Sequence, residues 1–147
     1  MVLKAIHRWG GIASTRELAW SGVERQQLDI AVMYGRVVRV KKGLWADPSI
    51  PAEVVAAYRA GGRLACVSAL AYHGVIERPD CGIHISAPDW VSKWRAPRPD
   101  VRVTRHWSRR PAPGDRFAVS VEVAWAQFAL CRGVAGRDVR LRRSDSL

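Results

Sequence analysis

The hydrophobic period changes once, at Gly35, and that change limits the folds open to the first third of the chain. Before it, Leu28, Ala31, Val32 and Gly35 recur at i, i+3, i+4 and i+7, which predicts a helix over residues 24–34 with one buried face. Gln26, Asp29, Ile30 and Met33 lie on the opposite face, with Arg25 and Gln27 flanking its start. After Gly35 the period is two. Val38 and Val40 alternate with Arg39, Lys41-Lys42-Gly43 turns the chain, and Leu44-Trp45-Ala46 returns. That pattern predicts a β-hairpin, with Gly43 supplying the positive φ of a short loop.

Two shorter helices precede this unit. Val2, Leu3, Ile6 and Trp9 have helical spacing, and Gly10-Gly11 stops them. Ser14 or Thr15 caps the next helix, which Ser21-Gly22 breaks. Short helices joined by a glycine-containing turn, then a basic hairpin, predict a winged helix-turn-helix over residues 1–48. Arg25, Gln26 and Gln27 then enter a major groove, where Arg suits guanine edges and Gln suits adenine edges. Asp29 and Met33 continue that face, Thr15 and Arg16 open the preceding helix, and Arg36 follows the groove helix. Arg39, Lys41 and Lys42 are expected on flanking phosphates. The plainer alternative is a protein-binding helix-turn-helix whose hairpin lysines hold the turn in water.

Charge favours a polyanionic partner. Lys and Arg total 24 against 13 Asp and Glu, for a net +11. The excess is +4 in residues 1–50, +1 in residues 51–100 and +6 in residues 101–147, so it spares the middle. Such a field steers encounter with nucleic acid, and double-stranded DNA is the expected partner. One recognition helix and one wing cover a half-site, so a palindromic operator requires a homodimer on DNA.

Asp47-Pro48-Ser49-Ile50-Pro51 marks a short rigid boundary. Residues 52–132 read as a small mixed α/β domain, giving an α+β chain overall. Helices are predicted over 52–60, 67–73 and 121–131, strands over 83–86 and 101–105, and extended chain over 117–121. Trp90, Lys93, Trp94 and Arg95 in the long connection, with Arg105 and Trp107, interleave bases and aromatics. Such a surface suits a partner or a nucleic acid, and its alternative is arginines packed over indoles within the domain. Trp9, Trp45 and Trp125 are expected in the core. Residues 133–147 mix basic and small residues without a period and are expected to be a disordered basic tail.

Several function classes are disfavoured. No apolar run approaches the roughly eighteen residues of a membrane span, and the first residues do not resemble a signal peptide. Three cysteines in a chain able to build a core fit a reducing cytoplasm. No phosphate-binding glycine loop, dinucleotide fingerprint, zinc-protease helix or nucleophile elbow occurs. No catalytic residues, enzyme activity or cofactor are therefore expected. Cys66, His73, Cys81 and His84 are spaced x6, x7 and x2, which is not the pattern of a known zinc finger. No metal is expected on that spacing. Cys with His also raises a thiol nucleophile, but no orienting acid accompanies it.

The ordered series GGIASTRELAWSGV, VVRVKKGLWA, SALAYHGV, IHISAP and RVTRH, over roughly residues 3–130, resembles actinobacterial antitoxins of the AbiEi family. These belong to type IV toxin–antitoxin and phage-defence systems. The resemblance implies a winged helix that represses its own operon and a second region that neutralises a nucleotidyltransferase-type toxin. Many relatives continue into a nuclease domain, and against that pattern this chain is short at its C-terminus. The expected function is a sequence-specific transcriptional repressor. Its alternatives are a protein-binding antitoxin module with incidental DNA binding, or the DNA-targeting remnant of a truncated nuclease.

Overall fold

Ser14 starts a helix by closing a capping box. Its hydroxyl accepts from the Glu17 amide at 3.0 Å, and the Glu17 carboxylate accepts from the Ser14 amide at 2.9 Å. Two donors that the helix end leaves unpaired are thereby satisfied. The computed structural model describes residues 2–88, 102–132 and 139–142. Those residues form a mixed α+β fold of six helices and two three-stranded sheets. The chain divides into two compact units, Met1–Val55 and Ala56–Leu147. The division falls inside α4 (Ala52–Arg59), a little beyond the proline-marked boundary.

The first unit runs α1 (Val2–Arg8), β1 (Ile12–Ser14), α2 (Thr15–Trp20), α3 (Arg25–Met33), β2 (Val38–Lys41) and β3 (Leu44–Ala46). Its strands lie in the order β1-β3-β2, antiparallel throughout. Ile6, Leu18, Leu28 and Trp45 are buried in one core with Ala5 and Ala31. On α3 only Leu28 and Ala31 are buried. Val32 and Gly35, expected on the same inner face, are exposed, because the core shared with α1 covers a narrower stripe of the helix.

The hairpin also departs from simple alternation. Arg39 faces Trp45 and Lys41 faces Leu44, so Val40 is an extra residue on β2. A bulge of this kind re-aims side chains on the strand that carries it. Val37 and Val40 turn inward, whereas Val38, expected inside, is 36% exposed.

The second unit contains β4 (Arg63–Leu64), α5 (Cys66–Tyr72), β5 (Ile83–Pro88), β6 (Val103–Ser108) and α6 (Val121–Leu130). Its sheet order is β4-β5-β6, with β4 antiparallel and β6 parallel to β5. α5 packs against both α6 and β5. β4 has only two residues, too few to show a period in the sequence. Leu64 also bonds along Phe117–Val119, donating to the Phe117 carbonyl and accepting from the Val119 amide, each at 2.9 Å. Gly62 is required beside this edge, because a Cβ there would lie 2.2 Å from the Ser86 carbonyl oxygen.

Two expectations need correction here. Residues 139–142, assigned to a disordered tail, pair with the segment after α5. Leu141 bridges Ile76, Glu77 donates to the Arg140 carbonyl at 2.8 Å, and Arg142 donates to the Val75 carbonyl at 3.0 Å. Residues 133–138 and 143–147 lie outside the described residues. Trp125, expected in the core, is 37% exposed, since Ala124 takes the buried position of α6. Trp9 is half-buried and Trp45 fully buried. Among the described residues no helix is long and apolar enough to cross a membrane.

Candidate nucleic-acid interface

The polar start of α3 and the basic hairpin meet over one indole. Trp45 on β3 is only 2% exposed, yet two guanidinium groups lie over its ring. Arg25 of α3 stands 5.2 Å from the ring centroid and Arg39 of β2 stands 6.0 Å from it. Cations are attracted to the negative face of an indole. Arg25 is further oriented by Asp29, with Nε 3.2 Å from Oδ1 one helical turn away. Trp45, expected in the core from the sequence, is buried there and also carries this second role, which sequence spacing does not show. The cross-strand pairing of Arg39 with Trp45 is what brings it about.

The remaining expected contacts divide by what their side chains already do. Gln26, Arg16, Arg36, Lys41 and Lys42 are exposed. Thr15 is occupied internally. Its Oγ1 accepts from the Trp45 indole at 2.9 Å and its amide donates to the Gly43 carbonyl at 3.0 Å, which ties α2 to the hairpin. Gln27 is exposed, but its side-chain oxygen accepts from the Glu24 amide at 2.7 Å as part of the α3 cap. Met33 is 79% exposed and lies with exposed Ile30 and the capping residue Tyr34 at the end of α3. Ile30 and Tyr34 line a cleft of about 550 Å³ together with Val2, Leu3, Ala31 and Val37, and Gln27 and Arg36 also line it. The helix is therefore polar and cationic at its start and apolar at its end.

Of the second expected surface, Trp90, Lys93, Trp94 and Arg95 lie outside the described residues. Arg105 and Trp107 share one face of β6, as residues two apart on a strand must. The Arg105 guanidinium stacks 4.0 Å from the centroid of the Trp107 ring, which is 53% exposed.

The Cys and His residues regroup in three dimensions. His73 leaves the quartet considered from spacing, because its Nε2 bonds the Val119 carbonyl across 2.8 Å. Cys66 and His84 do converge, and His106 of β6 and Cys131 at the end of α6 join them, whereas Cys81 Sγ lies 3.7 Å from His84 Nε2. Burial, and then the neighbouring His106, pushes His84 down to about 4. Burial, and then Cys131, pushes the Cys66 thiol up to about 12. A thiol so raised is protonated at neutral pH, which removes its value as a nucleophile. His106 and Cys131 were missed because they lie 22 and 47 residues from His84.

No family model and no curated protein matches the chain.

Proposed function

We propose that this protein is a sequence-specific DNA-binding repressor whose first unit is a winged helix-turn-helix. The observation that carries the reading is the joint presentation of exposed Gln26 on α3 and the Arg25–Trp45–Arg39 stack beside the Lys41-Lys42 turn. The element order and the β1-β3-β2 sheet support the same assignment. In this reading α3 enters the major groove start-first, and the β2–β3 hairpin rests on flanking phosphates. The net +11 charge supplies salt-dependent affinity. An AbiEi-like antitoxin or phage-defence regulator acting in the cytoplasm is the biological setting that fits the motif series.

Gln26→Ala tests it. A duplex enriched from a randomised pool by the wild-type protein is compared with its scrambled counterpart. The variant is expected to lose about 1–3 kcal/mol on the enriched duplex and little on the scrambled one, with discrimination relaxed at one base position. Equal loss on both duplexes sinks the groove assignment.

A second reading rests on exposed Ile30, Met33 and Tyr34 beside the α1–α3 cleft. Apolar residues gathered on an otherwise charged unit suit a protein contact. They fit a protein-binding antitoxin module with incidental DNA binding. In that case no duplex is enriched over the random pool.

A further inference from the structure

Four elements of the second unit deliver one donor group each to a single point. Cys66 opens α5, His84 lies on β5, His106 on β6, and Cys131 caps α6. One ligand atom from each lies within 4.8 Å of all the others. Two of the separations are well inside that limit. His84 Nδ1 is 3.2 Å from His106 Nε2 and 3.7 Å from Cys131 Sγ. Tetrahedral bonds of about 2.3 Å to sulfur and about 2.0 Å to nitrogen put neighbouring donors roughly 3.3–3.8 Å apart. Both separations lie within about 0.2 Å of the corresponding edges of such a tetrahedron.

We propose that Cys66, His84, His106 and Cys131 bind one zinc-class metal ion in a closed tetrahedral S2N2 site. The donor set argues for the metal. Two thiolates and two neutral imidazoles are the soft and borderline ligands that zinc takes in this geometry. Binding releases one proton from each thiol to solvent, and the two negative sulfurs then cancel the divalent charge. A neutral site can be buried without an unpaired charge, as full burial of Cys66 and His84 demands.

The surroundings favour the same assignment. His84 turns Nδ1 toward the donor cluster, and its other ring nitrogen lies 3.7 Å from Cys81 Sγ. A ligating histidine ordinarily has such an outer partner, which fixes ring orientation. Cys66 adopts φ of 51°, the one positive value among the described non-glycine residues. Its amide is held there by the Gln127 side-chain oxygen of α6 at 2.9 Å. Strained backbone of this kind persists only where its surroundings hold it, and it clusters at sites where a side chain must be aimed at a ligand. With all four positions supplied by protein the site is structural: it crosslinks α5, the sheet and α6, leaving no position for substrate.

The test uses the full chain, purified under reductant with zinc supplied, then passed through gel filtration. Elemental analysis is expected to find one equivalent of zinc per chain. Cobalt in its place is expected to give visible tetrahedral bands with a thiolate charge-transfer band. His106→Asn and Cys131→Ser, both at half-buried positions, are expected to drop metal content at least tenfold. Cys81→Ala is expected to keep the stoichiometry and the cobalt spectrum while weakening affinity about 10–100-fold. A wild-type chain that is folded by circular dichroism yet takes up neither metal overturns the proposal. So does a Cys66–Cys131 disulfide recovered from the reduced preparation, or full metal retention in both His106→Asn and Cys131→Ser.

Discussion

The indole Nε1–H of Trp45 donates to Thr15 Oγ1 across 2.9 Å, joining the returning strand of the hairpin to the first residue of α2. The same Trp45 ring lies under Arg25 and Arg39. One buried side chain thus fixes the spacing between α2, the start of α3 and the basic hairpin. A side-chain hydroxyl expected to face DNA is instead bonded internally and helps set the spacing of Arg25 and Arg39.

Thr15→Val keeps the shape of the side chain and removes the acceptor. The buried Trp45 N–H is then unsatisfied, and stability is expected to fall by about 1–3 kcal/mol. Thr15→Ser is expected to retain most of it. Urea denaturation followed by tryptophan fluorescence measures both. Equal stability of Thr15→Val and wild type would refute the structural role.

The hairpin cations are expected to contribute affinity without sequence information. Combined Arg39→Ala, Lys41→Ala and Lys42→Ala removes up to three phosphate partners. The slope of log K against log salt should then flatten by up to about three units, on specific and random duplexes alike. An unchanged slope counts against a DNA-facing hairpin.

Local chemistry was the legible part of the sequence. The helix start at Ser14 or Thr15, the glycine stops and the two periods each depend on residues within a few positions of one another, and the structure shows the helices and the hairpin they predict, with Ser14 as the cap. What the sequence hid depends on pairing across distance. Val38 turns outward because a bulge opposite Trp45 breaks alternation, and a bulge leaves no mark in a four-residue strand. Gln27 reads as a base contact from its place on α3, although its spacing from Glu24 equally suits the cap that it forms. His106 and Cys131 meet Cys66 and His84 only once β5 and β6 pair and α6 packs on α5. Nearness in sequence instead selected His73, which bonds the Val119 carbonyl.

Two glycines separate collision from conformation. A Cβ at Gly62 meets the Ser86 carbonyl oxygen at 2.2 Å, whereas one at Gly22, with φ of 82°, meets nothing within 4 Å. Gly62→Ala must displace β5 backbone and is expected to lose about 1–3 kcal/mol or more. Gly22→Ala carries only the left-handed backbone cost of about 1–2 kcal/mol. Hydrogen exchange distinguishes them, with protection at Leu64 and Ile85 lost in Gly62→Ala alone. Unaltered protection there contradicts the close approach of Gly62 to β5.

Acid should weaken the loop after β3 through Asp47. Its carboxylate accepts from the Ser49 amide at 2.8 Å and the Ser49 hydroxyl at 2.9 Å, and its second oxygen meets His7 of α1. The Ser49 amide, then His7, hold its pKa below the ordinary 3.8. A carboxyl with a lowered folded-state value contributes stability that is complete above the unfolded value and disappears as pH falls through the folded one. Asp47→Asn keeps an acceptor for Ser49 but removes the charge. The stability gap between wild type and Asp47→Asn is therefore expected to be present above about pH 3.8 and to close as pH drops below it. Urea midpoints of the two proteins across that range measure the gap. A gap that stays constant into acid would show that the Asp47 charge contributes nothing to the fold, leaving its hydrogen bonds to Ser49 as the whole of its role.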